Sequence, residues 1–199
     1  MLRVQLKQSL VVLFQKYKIM KKKESFDYKD RKYDVVACDP NWQTRFNDEA
    51  RIIKEIFGSE IRIEHVGSTS VEGMEGKPCI DILVILNDLS VIKDHISEME
   101  NVGYLYRGSY VSDDSFLFTK VKDNIIETNV HFFREGHQHV KEMLTLRDYL
   151  RNNPKEISEY SQLKRDLYKK YSNNYKEYRK EKDEYMQKLN ERAKNYKFN

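Results

Sequence analysis

His65-Val-Gly-Ser-Thr-Ser-Val-Glu-Gly-Met-Glu-Gly-Lys-Pro-Cys-Ile-Asp-Ile-Leu-Val84 is the stretch on which the fold turns. Alternating residues from Ile61 to Val66 read as a short strand, and Gly67 to Lys77 is rich in glycine and small hydroxyls. Cys79 to Leu86 is an apolar, β-branched strand that carries one acid, Asp81, near its start. A glycine lets the backbone approach a phosphate closely, and free N–H groups with the hydroxyls of Ser68, Thr69 and Ser70 can donate to phosphate oxygens. Lys77 adds a point charge suited to a triphosphate, and Asp81 offers a hard oxygen ligand for Mg²⁺. The same residues also fit plain turn chemistry, with Lys-Pro marking a strand entrance and an aspartate capping a neighbouring loop.

On the N-terminal side, Trp42, Phe46, Ala50, Ile53 and Phe57 share one helical face, and Gly58 stops that helix. On the C-terminal side, Asn87 or Asp88 is expected to cap a helix running to about Val102, with Gly103 as its stop. Strands follow at about Tyr104 to Arg107, Phe116 to Val121 and Ile125 to Phe133, the last two joined by a polar turn at Lys122 to Asn124. After His137 the chain reads as helix, broken at Asn153-Pro154 and again near Ser172 to Asn174. Strands mixed with helices give an α/β (α+β) fold, with a mixed sheet of about four to five strands flanked by helices. The C-terminal tyrosines, among them Tyr149, Tyr160, Tyr168, Tyr175, Tyr178 and Tyr185, lie at helical spacing. They read as a stripe packed on the sheet, the alternative being a stacking platform for single-stranded nucleic acid.

Residues 1–30 differ from the rest. Leu6, Leu10, Leu13 or Phe14, and Tyr17 recur at helical spacing ahead of Lys21, Lys22 and Lys23. This is an accessory helix on its own domain or a docking helix for a partner, and Met20 leaves a later start open. The domain proper is then 31–199, with C-terminal helices over about 137–197. The net charge of +4 is modest for a chain of which 34% is charged, so a nucleic-acid partner is disfavoured. Cys38 and Cys79 suggest neither a disulfide framework nor a zinc site, and Cys79 reads as a core residue. No stretch approaches the roughly 20 apolar residues of a membrane span, and Ser9 to Phe14 is too short for a secretory signal, so a cytoplasmic protein is expected.

The quoted stretch resembles the signature of the GrpB family, in which a His-hydrophobic-Gly-Ser-Thr turn leads through Gly and Lys-Pro into a strand bearing Asp. Pro40-Asn-Trp42 with Phe46 resembles the start of that family's first core helix, and His131 in Asn129-Val-His-Phe-Phe133 resembles its histidine-bearing strand. Leu146 to Arg151 around Arg147, Leu163-Lys164-Arg165, Tyr178 and Lys182 resemble its C-terminal helices. The resemblance covers roughly residues 33 to 190. It implies the nucleotidyltransferase superfold associated with polymerase β: a hydrophobic-Gly-Ser turn, an Asp-x-Asp/Glu strand, then a third carboxylate on a later strand.

Gly67, Ser68 and Asp81 match that pattern; the second acid does not, because Leu83 stands there. Glu127 is the candidate later-strand carboxylate, on one face with Asn129 and His131 by the two-residue period. What the resemblance implies is a Mg²⁺-dependent transfer of a nucleoside monophosphate from an NTP to an unidentified small-molecule acceptor. Asp81 and Glu127 would hold the metal, Gly67, Ser68, Thr69 and Lys77 the phosphates, and His65, His131, Arg147, Lys164 and Lys182 would surround the pocket. A non-catalytic nucleotide or phosphate-ligand module is the alternative that Leu83 motivates, and an interaction domain built on the basic helices is a third. Relatives of the family are fused to a dephospho-CoA kinase, but the Gly-x-x-x-x-Gly-Lys-Ser/Thr loop of such a kinase is absent here.

Overall fold

The computed structural model describes residues 31–197. The reading of residues 1–30 as a helix lies outside the described residues.

The chain enters with helix α1, Asn41–Phe57, which buries Trp42 and Ile53. It ends where expected: Gly58 has φ of 91° and donates its N–H to the Lys54 carbonyl at 2.9 Å, a left-handed stop that only glycine takes without strain. Strand β1, Arg62–Val66, then leads through a 3₁₀ turn, Ser68–Ser70, and a loop to β2, Ile80–Leu86. Helix α2, Ile96–Asn101, is followed by β3, Tyr104–Gly108, β4, Ser115–Lys122, and β5, Ile125–Arg134. Three helices close the chain: α3, Gln138–Arg151, α4, Pro154–Tyr171, and α5, Tyr175–Asn195.

The strands form one mixed sheet in the order β1-β2-β5-β4-β3. β2 pairs with β5 in parallel and every other neighbour is antiparallel. Because β2 is central and covered on both faces, it is nearly all apolar instead of alternating, as parallel strands buried on both sides are. Ile80, Ile82, Val84, Val130, Phe118 and Phe132 fill one face against Trp42, Ile53, Ile92 and Met99. Val66, Leu83, Ile85 and Phe133 fill the other against Val140 of α3. Side chains this deeply buried cost about 3 to 5 kcal/mol each when truncated to alanine at a phenylalanine.

One helix differs from expectation. Between Asn87 and Val102 the chain makes a 3₁₀ turn, Ser90–Lys93, then bends, and only then forms α2. Ile92 and Met99 keep their helical spacing, but Val91 also packs on the core, off the stripe a continuous α-helix would present, and the tighter turn accommodates it. Asp88 still serves the start, accepting from the Ser90 N–H at 2.8 Å. The polar turn between β4 and β5 is a two-residue hairpin with Asp123 and Asn124 both at positive φ, a conformation these residue types tolerate.

The tyrosines of the C-terminal helices are packing residues. Tyr149 and Tyr160 join Leu150, Leu189 and Ala193 in a cluster that also takes Val71 and Met74 from the β1–β2 loop. Tyr175 and Tyr178 pack on Tyr33 and Leu167. The helices therefore clamp the loop that carries the candidate site. Cys79 is buried and Cys38 half-buried, both as free thiols. No described helix is long and apolar enough to cross a membrane.

Candidate functional site

The β1–β2 loop is rigidly built. Gly67 turns the chain with φ of 73°, and Ser70 Oγ donates to the Gly67 carbonyl at 2.7 Å. Arg151 of α3 grips the Ser70 carbonyl with Nε at 3.1 Å and Nη2 at 2.7 Å. Further on, Gly76 exchanges backbone bonds with Val36, and the Glu75 N–H donates to Ser161 Oγ of α4 at 3.1 Å. Tertiary contacts at both ends thus fix the positions of the loop's donors.

On one flank stands Asp81, its side chain 28% exposed. Its Oδ1 accepts from Asn129 Nδ2 at 2.7 Å, and His131 Nε2 lies 3.6 Å away. The other ring nitrogen of His131, Nδ1, meets the Tyr110 hydroxyl at 3.1 Å. Burial alone would raise the Asp81 carboxyl, but His131, Asn129 and the charge of Lys77 outweigh it and hold Asp81 below the usual carboxylate range.

On the other flank the loop meets three lysines. Lys164 of α4 is only 2% exposed, and its Nζ donates to Ser68 Oγ at 3.0 Å and to the Glu75 carbonyl while lying over the Tyr160 ring. Burial, reinforced by the nearby charges of Lys182 and Lys77 and opposed by Glu75, pulls Lys164 down to about 7. Lys77 Nζ donates to the Tyr175 hydroxyl at 2.7 Å, and Lys182 pairs with Asp183 at 3.1 Å. Burial would raise the Tyr175 phenol, yet Lys77 and Arg31 beside it bring it below its ordinary value. The cationic field around Tyr175 thus outweighs its desolvation.

The remaining residues read from sequence serve the fold. His65 Nε2 contacts Thr69 Oγ1 at 3.0 Å, Thr69 donates on to the Cys79 carbonyl at 3.3 Å, and the imidazole stacks on Phe46. Both side chains are buried and spend these contacts within the fold. Arg147 ties α3 to β1, reaching Glu64 Oε2 at 2.7 Å and the His65 carbonyl at 3.2 Å. Glu127 does not meet Asp81 in register: Asp81 pairs with Asn129 and Leu83 with His131, while Glu127 precedes Thr128, the first residue of β5 paired with β2, and falls at the irregularity of the β4–β5 ladder. The position beside the first acid therefore holds an amide. Leu83 is fully buried against Val66 and Phe133.

These donors do not fit a pair of Mg²⁺ ions, which require shared oxygen ligands in octahedral geometry. Asp81 is one carboxylate flanked by an amide already donating to it and by an imidazole, and no group of three or more metal-ligating side chains occurs among the described residues. Asn129 was legible only as a strand-mate of His131. Tyr110 and Tyr175 carried no local signal, because each acquires its role from a contact far away in sequence.

Comparison with known proteins places the chain in a family. The family model described as GrpB protein matches residues 32–192. The chain belongs to the GrpB family. It is 32% identical over 160 residues to the glutamate-rich protein GrpB of Alkalihalophilus pseudofirmus, a match covering 78% of this chain and 92% of that one. It is 31% identical over 171 residues to the UPF0157 protein YqkA of Bacillus subtilis, covering 85% of this chain but only 50% of YqkA. The chain thus spans about half the length of that relative. The crystal structure of the conserved protein GrpB from Enterococcus faecalis overlays with a TM-score of 0.76 at 30% identity, covering 80% of this chain and 96% of that one. In this GrpB-family chain the Gly67-Ser68 turn and Asp81 stand together, with the buried Leu83 two residues after the acid.

Proposed function

We propose that this GrpB-family domain binds the phosphates of a nucleotide, or of a comparable phosphorylated ligand, at Ser68 and holds them without two-metal nucleotidyl transfer. The observation that carries this reading is Lys164: a buried ammonium touching Ser68 Oγ, with Lys77 and Lys182 close enough to depress its pKa. Clustered cations that repel one another are relieved when an anion settles among them, so their mutual repulsion adds to the affinity for that anion. The small turn supplies Ser68 as a hydroxyl donor and Gly67 as a close approach for the ligand.

Transfer of a nucleoside monophosphate is the second reading, favoured by one specific feature. Asp81 is held ionised and partly exposed beside Gly67, where the superfold keeps its first acid. Leu83 and Asn129 weigh against it.

Calorimetric titration with ATP, GTP, CTP and UTP, each with and without Mg²⁺, separates the two. Binding that survives Mg²⁺ removal and Asp81→Asn, but is lost in Lys164→Met, supports the binding module. Binding that requires both Mg²⁺ and Asp81 supports the transferase and justifies a search for its acceptor. No binding to any nucleotide rejects the transferase and the nucleotide form of the binding module.

A further inference from the structure

We infer that the cleft between the start of α1 and the Thr69–Gly73 segment is a second binding site, for a small zwitterion that carries a carboxylate and an amine on an apolar body. Its volume, about 820 Å³, lies in the range of small-molecule sites. Trp42 forms part of the wall, only 1% exposed, and its indole Nε1–H has no hydrogen-bond partner. A buried indole N–H ordinarily finds an acceptor, and this one, itself shielded from solvent, is unpaired in a residue of the cleft wall.

The charges around it define the ligand. Arg151 lines the cleft while Nε and Nη2 hold the Ser70 carbonyl; Nη1 has only Asp148, at 3.9 Å. A guanidinium edge with donors to spare suits a carboxylate. Asp39 and Glu72 line the same cleft, and they suit an ammonium group. Val71 and Ile157 supply apolar wall. One cation with two carboxylates repels a polyphosphate and complements a molecule carrying both charges. The cleft is therefore not an extension of the Ser68 site, although Thr69 and Ser70 border it.

The chain has a single tryptophan, so emission excited at the red edge of the absorption band, where the 14 tyrosines do not absorb, reports on Trp42 in the wall of this cleft. The full chain is titrated with L-leucine and L-phenylalanine, and with the acids and amines that lack one of the two charges, at constant ionic strength, with calorimetry in parallel. A saturable change with an amino acid is expected, with each singly charged analogue binding about tenfold more weakly, one lost ion pair in a half-buried site. Glu72→Gln, at an exposed side chain, is expected to weaken the amino acid about fivefold and leave the carboxylic acids unchanged. Ser68→Ala leaves all of these titrations unaltered. The proposal is overturned if neither amino acid gives a saturable response in the millimolar range, if the singly charged analogues bind equally well, or if Glu72→Gln changes nothing.

Discussion

The carboxylate of Asp81 rests against the Cα of Gly67: a methyl group at residue 67 would sit 2.4 Å from Asp81 Oδ2. The turn and the acid are therefore one packed unit, and the glycine is required twice, for its φ of 73° and for the space its missing side chain leaves. Gly67→Ala is expected to destabilise the fold by roughly 2 to 4 kcal/mol, combining backbone strain with the clash. Adding Asp81→Ala removes the carboxylate from the contact and leaves the backbone strain and a 3.0 Å approach to the Cβ of residue 81, so the double variant should recover part of the loss in a urea melt. A double variant no better than Gly67→Ala would mean that the contact costs nothing.

Leu83 lies where a second acid would complete a metal site, yet it is fully buried under α3 with Val66, Phe133 and Val140. Restoring an acid there buries a charge without a partner. Leu83→Asp should lose at least about 3 to 5 kcal/mol and yield little folded protein. A folded Leu83→Asp protein that gains Mg²⁺-dependent nucleotide binding would overturn the binding-module reading.

The contrast between Leu83 and Lys164 shows what the sequence could reveal. Leu83, Asp81 and the Gly67-Ser68 turn lie within one local segment, so strand period and turn chemistry suffice to place them correctly. The sheet, α1 with its Gly58 stop, and the breaks at Pro154 and Asn174 were legible for the same reason: each depends on a pattern of a few neighbouring residues. The partners that give the site its electrostatics come from contacts spanning about half the chain, such as Lys164 on Ser68 and Tyr175 on Lys77. Periodicity puts Lys164 on a helix but says nothing of its burial. Glu127 had the right face by the same local logic, but register against β2, a non-local quantity, put Asn129 beside Asp81 instead.

His65 offers a test of the fold under acid. Burial, together with the charges of Arg151 and Arg147 and against the pull of Asp81, lowers its imidazole to about 4. The unfolded chain binds this proton near 6.5 and the folded chain does not, so the neutral ring favours the fold fully above that value, and the advantage is lost as pH falls from about 6.5 toward 4. The slope reaches about 1.4 kcal/mol per pH unit at most. His65→Gln should be less stable at neutral pH but flatter between pH 7 and 5 in urea midpoint. An unchanged slope would assign the acid sensitivity elsewhere.

Lys164 makes the phosphate reading sensitive to pH in the opposite range. Its folded value near 7 lies well below the ordinary lysine value of 10.5, because the charged form is desolvated and crowded by Lys182 and Lys77. The unfolded state therefore holds a proton that the folded state releases, and the ligand-free protein gains stability as pH rises from about 7 toward 10.5. Ligand binding runs the other way. A phosphate beside Ser68 attracts the ammonium and not the amine, so affinity should fall as pH rises through about 7, with proton uptake on binding that calorimetry reads as a dependence of the heat on buffer ionisation. In Lys164→Met the affinity should drop by at least about tenfold at pH 6 and become flat with pH, while the ligand-free protein becomes more stable near neutrality because no buried charge must be held there. Nucleotide binding that keeps both its strength and its pH dependence in Lys164→Met would remove Lys164 from the site and, with it, the argument for a phosphate ligand at Ser68.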